Sequence, residues 1–367
     1  MINVYNMKLS KQRSHKRVDK NKSLLHLFIF CAFVFASVIL FSRNAALSEW
    51  YMIRIYPAVA TLLSAISALF PFSIYDFFIV IAIIYLLKLI LFVILKKTSF
   101  KNFLFSLIRF VTILVAWFYF GWGISYFRKD YYSRTNILET SFNADNLREF
   151  TTRFINDANN SYVEFEVIEK EEIRKEIEKT YSYINEPLVI NYPNGKRRVK
   201  KMVFESMFTK MSISGYYGPF FNEIHVNNYS LNLTYPFTLA HEMAHQFGVA
   251  KESEANLYAF IVCVNSNDER IRYSAYASTI GYLLNDVRSL LPDEYEEIFY
   301  SVKPEIIRDL QRNSEHWLTA RDETLSDAQD KAYDAYLKSN RISSGRENYS
   351  EVVGLLISSY DSFITKM

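Results

Sequence analysis

Cysteine is nearly missing from this chain: Cys31 and Cys263 are the only two in 367 residues. Two thiols cannot build a disulfide scaffold or a four-thiolate zinc site. Glycine is scarce as well, with 9 residues against 30 Phe and 27 Tyr. That scarcity argues against a parallel-sheet enzyme with phosphate loops. No Walker loop, dinucleotide fingerprint, repeat or low-complexity tract occurs. Charge is low too, at 22%, while half of the residues are hydrophobic and 17% are aromatic. This composition excludes a disordered chain, a collagen and a highly charged nucleic-acid tail. No nucleic-acid partner is expected.

What charge there is sits unevenly. Lys8, Lys11, Arg13, Lys16, Arg17, Lys20 and Lys22 precede the first apolar run, against Asp19 alone. Residues 24–123 are also basic, so the remainder of the chain is net acidic. A basic, apolar N-terminal third and an acidic remainder describe a membrane anchor followed by a water-exposed domain. Leu24–Ser42 holds no acid, Lys or Arg, and at ~1.5 Å per residue it nearly spans a ~30 Å hydrocarbon layer. It is long for the apolar core of a signal peptide, and no clean A-x-A site follows. A second span is expected over Ile74–Leu95, with Lys88 placed to snorkel and Lys96, Lys97 and Lys101 beyond its end. A third runs over Phe103–Gly123 and ends in an aromatic cluster, where Trp117, Tyr119 and Trp122 suit an interface. The apolar stretch Tyr56–Leu69 has Pro57 at its start and Pro71 just beyond its end. It is short for a span and fits an interfacial or re-entrant helix.

The expected division is a cytoplasmic basic tail (1–23), a membrane domain with three transmembrane helices (24–123) and an extracytoplasmic domain (124–367). Lys and Arg retained inside set this orientation. In the outer part, Glu164–Tyr183 has helical spacing, and Val199–Phe208 reads as a strand or a short helix. Ser214–Pro219 reads as a Gly/Pro-marked loop and Glu223–Asn227 as a strand, with a mostly helical pattern from residue 237 onward.

Two of the six histidines stand four apart in His241-Glu242-Met243-Ala244-His245, an H-E-x-x-H. On a helix, residues i and i+4 lie one above the other, so both imidazoles can reach one metal ion. Glu242 is rotated about 100° away, where it can hold a water. Chance yields on the order of 0.01 such patterns in a chain of this composition. Thr238, Leu239, Ala240, Met243, Ala244, Gln246 and Phe247 leave the helix without charge around the motif. That surround suits a buried metal helix better than two solvated histidines. Gly248 can stop the helix and reverse the chain. A second helix then opens with Glu252, and Asn256 shares its face. That face can carry a carboxylate to the metal and an amide to a ligand imidazole. Glu252 is favoured as third ligand, and Glu254 is the alternative, with first-turn charge against the helix dipole as its plain role. Tyr216, Tyr217 and His225 are candidate cleft residues. Arg272, Tyr273 and His316 are candidate oxyanion donors. Cys263, in an apolar helix, reads as a small core residue.

H-E-M-A-H followed by E-S-E-A-N resembles the gluzincin arrangement, H-E-x-x-H with E-x-x-x-D on the next helix. Glu252 falls on the ligand Glu and Asn256 on the Asp, with Asn replacing Asp as the departure. It is especially similar to the E-x-x-A-D form of membrane-embedded gluzincin peptidases. More of the chain resembles an uncharacterised bacterial membrane family, domain of unknown function 3810. The shared features are three N-terminal spans, Trp122-Gly123, Gly218-Pro219-Phe220, Pro236-Phe237-Thr238 before the histidine motif, the E-x-E-A-N run and Arg272-Tyr273-Ser274. The resemblance implies an α-helical membrane protein carrying an extracytoplasmic α+β, mainly helical zincin-like domain. It also implies that the strand just upstream of the metal helix is the sheet edge above the cleft, where an extended peptide can pair.

The expected activity is that of a membrane-anchored, zinc-dependent metallopeptidase. His241, His245 and Glu252 hold Zn²⁺, which lowers the pKa of its water toward ~7, and Glu242 is the general base. Expected partners are a peptide or protein substrate and the lipid membrane. The expected location is the inner cell membrane, multi-pass, with the domain periplasmic or extracellular. The alternatives are a non-catalytic zinc-bearing sensor or envelope assembly factor, and a transporter or scaffold built on the spans. The orientation has a direct check. A reporter active only in the cytoplasm, fused after Met367, should be silent; activity would mean that 56–69 crosses and the domain faces inward.

Overall fold

The structure is a computed structural model describing residues 24–165, 167–190, 195–345 and 351–364. The basic tail 1–23 lies outside the described residues. Among the described residues, three single helices are long and apolar enough to cross a membrane: α1 (Leu24–Arg43), α4 (Ile74–Ile94) and α5 (Phe100–Gly121). Ser73 and Ser99 start the last two, each side-chain oxygen accepting the backbone N–H three residues on. The cap at Ser99 is why the third helix begins three residues ahead of the expected Phe103.

Between α1 and α4 run α2 (Ala45–Arg54) and α3 (Tyr56–Ala68), bent by 47° at their junction. Apart from Tyr51, their buried residues form one stripe, Ser48, Glu49, Met52, Tyr56, Ala60, Ser64 and Ser67, at helical spacing. The stripe packs against the C-terminal domain from end to end. Glu49 pairs with Arg128 at 2.6 Å, Tyr56 Oη donates to Gln246 O, and Ser67 Oγ donates to Glu223. Trp50, Ile55, Leu62 and Ile66 point outward and are exposed. One face on the domain and an apolar face outward is the pattern of a helix pair lying along an interface.

After a short helical turn at Gly123–Phe127 come α6 (Tyr131–Thr135), α7 (Ala144–Ser161) and α8 (Lys170–Ile184). Strand β1 (Val199–Lys200), α9 (Glu205–Lys210), β2 (Gly215–Gly218) and β3 (Glu223–Val226) follow. Then come α10 (Tyr235–Gln246), α11 (Glu252–Val264), α12 (Glu269–Leu290), α13 (Tyr295–Ser301), α14 (Pro304–Ala320), α15 (Glu323–Ser339) and α16 (Val352–Phe363). Every residue of α10 and α11 is buried. A helix without a solvent face belongs at the centre, and α8, α12 and α16 pack around this pair.

The small sheet has the order β1-β3-β2, with β3 parallel to β1 and antiparallel to β2. Two expectations are corrected here. Strand β3 is the wholly buried centre of the sheet, not its edge. The stretch expected to be a loop contains the edge strand β2. Its glycines reflect close approach, since a Cβ on Gly215 would lie 2.7 Å from Glu242 Oε1, and one on Gly218 would lie 2.7 Å from the Tyr75 ring.

The sheet grips the turn between α3 and α4. The Glu223 carboxylate accepts the backbone N–H groups of Ile74 and Tyr75 and the hydroxyls of Ser67 and Ser73. It therefore caps the N-terminus of an apolar helix, where negative charge is favoured. Lys200 Nζ donates to the carbonyls of Ser67, Phe70 and Phe72 and lies 3.4 Å from Glu223. Both side chains are fully buried, so removing one strands the other. Lys200→Met should lower the unfolding free energy by about 3–5 kcal/mol. Lys200→Met with Glu223→Gln should cost less than the two single changes added, as read from thermal melts in detergent. Additive losses would mean that the two groups act independently.

Candidate metal centre

The centre is built by the α10–α11 hairpin. Pro236 stands in the first turn of α10, and Gly248, at φ +88°, reverses the chain after its end. A Cβ at Gly248 would lie 2.6 Å from Met52, so glycine meets both the turn and the contact with α2. The reversal brings Val249 O to 2.8 Å from His245 Nδ1. His241 Nδ1 is 2.8 Å from Asn256 Oδ1 on α11. Both acceptors are carbonyl oxygens, so each Nδ1 carries the proton and each Nε2 presents its lone pair inward.

The two Nε2 atoms are 3.1 Å apart. Glu252 Oε2 lies 3.0 Å from that of His241 and 3.4 Å from that of His245. Two neutral imidazoles and a carboxylate are the donor types zinc takes, and metal–ligand bonds of ~2.0–2.1 Å in a tetrahedron place neighbouring donors roughly 3.3 Å apart. The triangle present fits that spacing. Glu242 stands beside it, with Oε2 buried and without a hydrogen-bond partner. Its burial pushes the carboxyl up to about 7, against the pull of His241 and His245. Burial disfavours charge on His245, yet Glu252 outweighs it and raises the imidazole to about 9, while the two histidines hold Glu252 well below the usual carboxylate range.

The two acidic residues that open α11 have different partners. Glu252 joins the histidines. Glu254 turns the other way and pairs with Arg134 of α6 at 2.5 Å, both side chains buried. It is not merely first-turn charge, and it does not reach the cluster. The other Glu252 oxygen accepts a hydrogen bond from Tyr333 Oη on α15. Sequence reasoning missed Tyr333, one of 27 tyrosines and 81 residues away.

A cavity of about 1160 Å³ contains His241, Glu242, His245 and Glu252, with Tyr216 and Tyr217 on its wall. His225, expected in the cleft, is instead buried behind β2, stacked on Tyr216 at 4.1 Å and bonded to Ser73 Oγ. Burial lowers its pKa to about 3, so it is neutral. The expected oxyanion donors do not line the cavity. Arg272 donates to Ser266 O, Tyr273 to Asp309, and His316 stacks on Tyr229 and bonds to its carbonyl. Tyr282 and Tyr333 do line it. Cys263 is buried in the core.

Fold and site together define a mainly helical protein with three apolar N-terminal helices and a buried His–His–Glu cluster beneath a small sheet. The chain belongs to the family described as Protein of unknown function (DUF3810), whose model matches residues 51–357. No curated protein and no solved structure matches it.

Metal analysis of the purified full chain separates the two acids. His241→Ala and His245→Ala should abolish bound metal and Glu252→Ala should reduce it, while Glu254→Gln should leave it intact. Glu254→Gln should instead cost about 3–5 kcal/mol by stranding Arg134. Arg134 depresses the pKa of Glu254 against the burial that would raise it. The pair therefore stabilises fully above the ordinary carboxylate pKa of ~4.3 and less as the pH falls below it. The stability gap to wild type should close in that acid range; a gap unchanged at low pH would remove the ion pair as its cause.

Proposed function

We propose that this protein is a membrane-anchored, zinc-dependent metallopeptidase whose catalytic domain lies outside the cytoplasm. The observation that carries the reading is the inward-facing triangle of His241, His245 and Glu252 with the unpartnered carboxylate oxygen of Glu242 beside it. Zinc held there would act as a Lewis acid toward the scissile carbonyl and the attacking water. Asn256 and the Val249 carbonyl fix the tautomers of the two histidines. Tyr333 fixes the Glu252 carboxylate. Glu242, buried and close to neutral in its pKa, takes a proton from the attacking water and passes it to the leaving amine. Gly215 holds β2 against Glu242 and limits how far that carboxylate can swing.

The orientation rests on the basic tail together with the three spans. The ends of α1, α3 and α5 and the start of α4 all meet the C-terminal domain. Arg341 donates to Ser42 at the end of α1, Glu223 receives Ser67 and the start of α4, and Trp122 Nε1, just beyond α5, donates to His245 O. With α2–α3 lying along the domain, three crossings put the tail and the domain on opposite sides.

Glu242→Gln keeps shape and removes the base. It should retain zinc and fold while peptide hydrolysis falls by about 10²–10⁴-fold. Gly215→Ala, which pushes a Cβ into Glu242, should retain zinc and lower kcat more than it raises KM. Zinc-loaded wild type without hydrolytic activity, and Glu242→Gln without a phenotype in cells, would replace this reading with a structural zinc site in a sensor or assembly factor.

A further inference from the structure

We infer that the polypeptide taken by this site is presented at the membrane surface, as the stretch adjoining a membrane anchor, and is cut within a few residues of that anchor. The inference rests on the peptidase reading and adds a substrate class to it. It starts from β2. The order β1-β3-β2 leaves the outer edge of this strand without a partner strand among the described residues. An open edge is a template onto which an extended peptide adds by main-chain hydrogen bonds. Residues 212–217 line the cavity that holds the metal cluster, so a peptide on this edge would lie over the reacting groups.

The two ends of the strand meet different surroundings. Its first residue, Gly215, touches the Glu242 side chain. Its last, Gly218, touches Tyr75 in the first turn of α4. Pro219 and Phe220 continue directly onto the apolar helices, where Phe220 packs on Tyr75, Phe78 and Trp117. The strand therefore leads from the candidate base to the ends of two spans in four residues, about 10–13 Å at ~3.3 Å per residue.

The cavity takes the same course. Its lining includes both His241 and Glu252 of the cluster and the aromatic residues Tyr75, Phe118 and Phe220. Phe118 stands in the last turn of α5. Almost none of the apolar windows of α4 and α5 is buried within the protein. The aromatic wall of the cleft is thus continuous with the surface these helices offer to lipid. A substrate wholly in water would have to bring its own apolar side chains to that wall. A segment leaving the bilayer arrives there already.

The test uses the zinc-loaded full chain in nanodiscs with one random-sequence peptide library in two forms, free and palmitoylated at either terminus, and products mapped by mass spectrometry. The expected result is faster cleavage of the acylated form, with cuts clustered within about 4–6 residues of the lipidated end, the reach set by ~3.3 Å per residue along β2. Crowding at a surface raises the rate alone and does not select the position of the cut. Cuts spread evenly along the acylated peptides, or equal cleavage of the free form, would overturn the inference and leave the peptidase reading standing. Cleavage of neither library would overturn both.

Discussion

The carbonyl groups at the C-terminal end of α10 must find donors, and where those donors come from decides how the molecule is joined. The last turn of any helix leaves such carbonyls unpaired by its own backbone. Here Trp122 Nε1 donates to His245 O, Tyr56 Oη to Gln246 O and Arg128 to Gly248 O. All three side chains belong to the segments that link or follow the apolar helices. The helix bearing both histidines is thus finished by side chains from α3 and from the segment just after α5. The apolar helices and the segments joined to them are part of the frame that sets the position of the site, and the two cannot be treated as separable modules.

A second join runs through the sheet. Glu223 and Lys200 sit on neighbouring strands, and between them satisfy the carbonyls at the end of α3 and the amides at the start of α4. Asp76, within α4, returns the contact by accepting from Val203 N and Tyr216 Oη. Buried charges survive only when paired and fully hydrogen-bonded. This network meets that condition on both sides of the boundary. It also accounts for His225, which the sequence offers as a cleft residue and which instead packs this junction.

The features legible in the sequence were those with short, regular spacing. The apolar runs of α1, α4 and α5 are visible as composition. His241, His245, Glu252 and Asn256 lie on two successive helices, where helical periodicity puts each pair on one face and the turn at Gly248 brings the faces together. The features that stayed hidden depend on distant partners or on tight approach. Glu254 and Glu252 are two residues apart and chemically alike, and only Arg134, 120 residues away, separates their roles. The Gly-Tyr-Tyr-Gly stretch carries turn residues, yet it is a strand whose glycines make room for Glu242 and Tyr75. Tyr333 has no local signature, because its meaning lies wholly in the carboxylate it meets.

That hydrogen bond from Tyr333 to Glu252 spans 81 residues, and it sets an order of events during synthesis. The ribosome completes α10 and α11 well before the residue that locks their carboxylate. At ~5–20 residues per second, on the order of ten seconds pass before Tyr333 emerges. During that interval the nascent chain carries its histidines and Glu252 without this hydrogen bond. Completion of the His–His–Glu cluster's hydrogen bonds is therefore coupled to completion of the C-terminal helices, and a chain truncated before α15 would carry the whole histidine motif without the contact that holds Glu252.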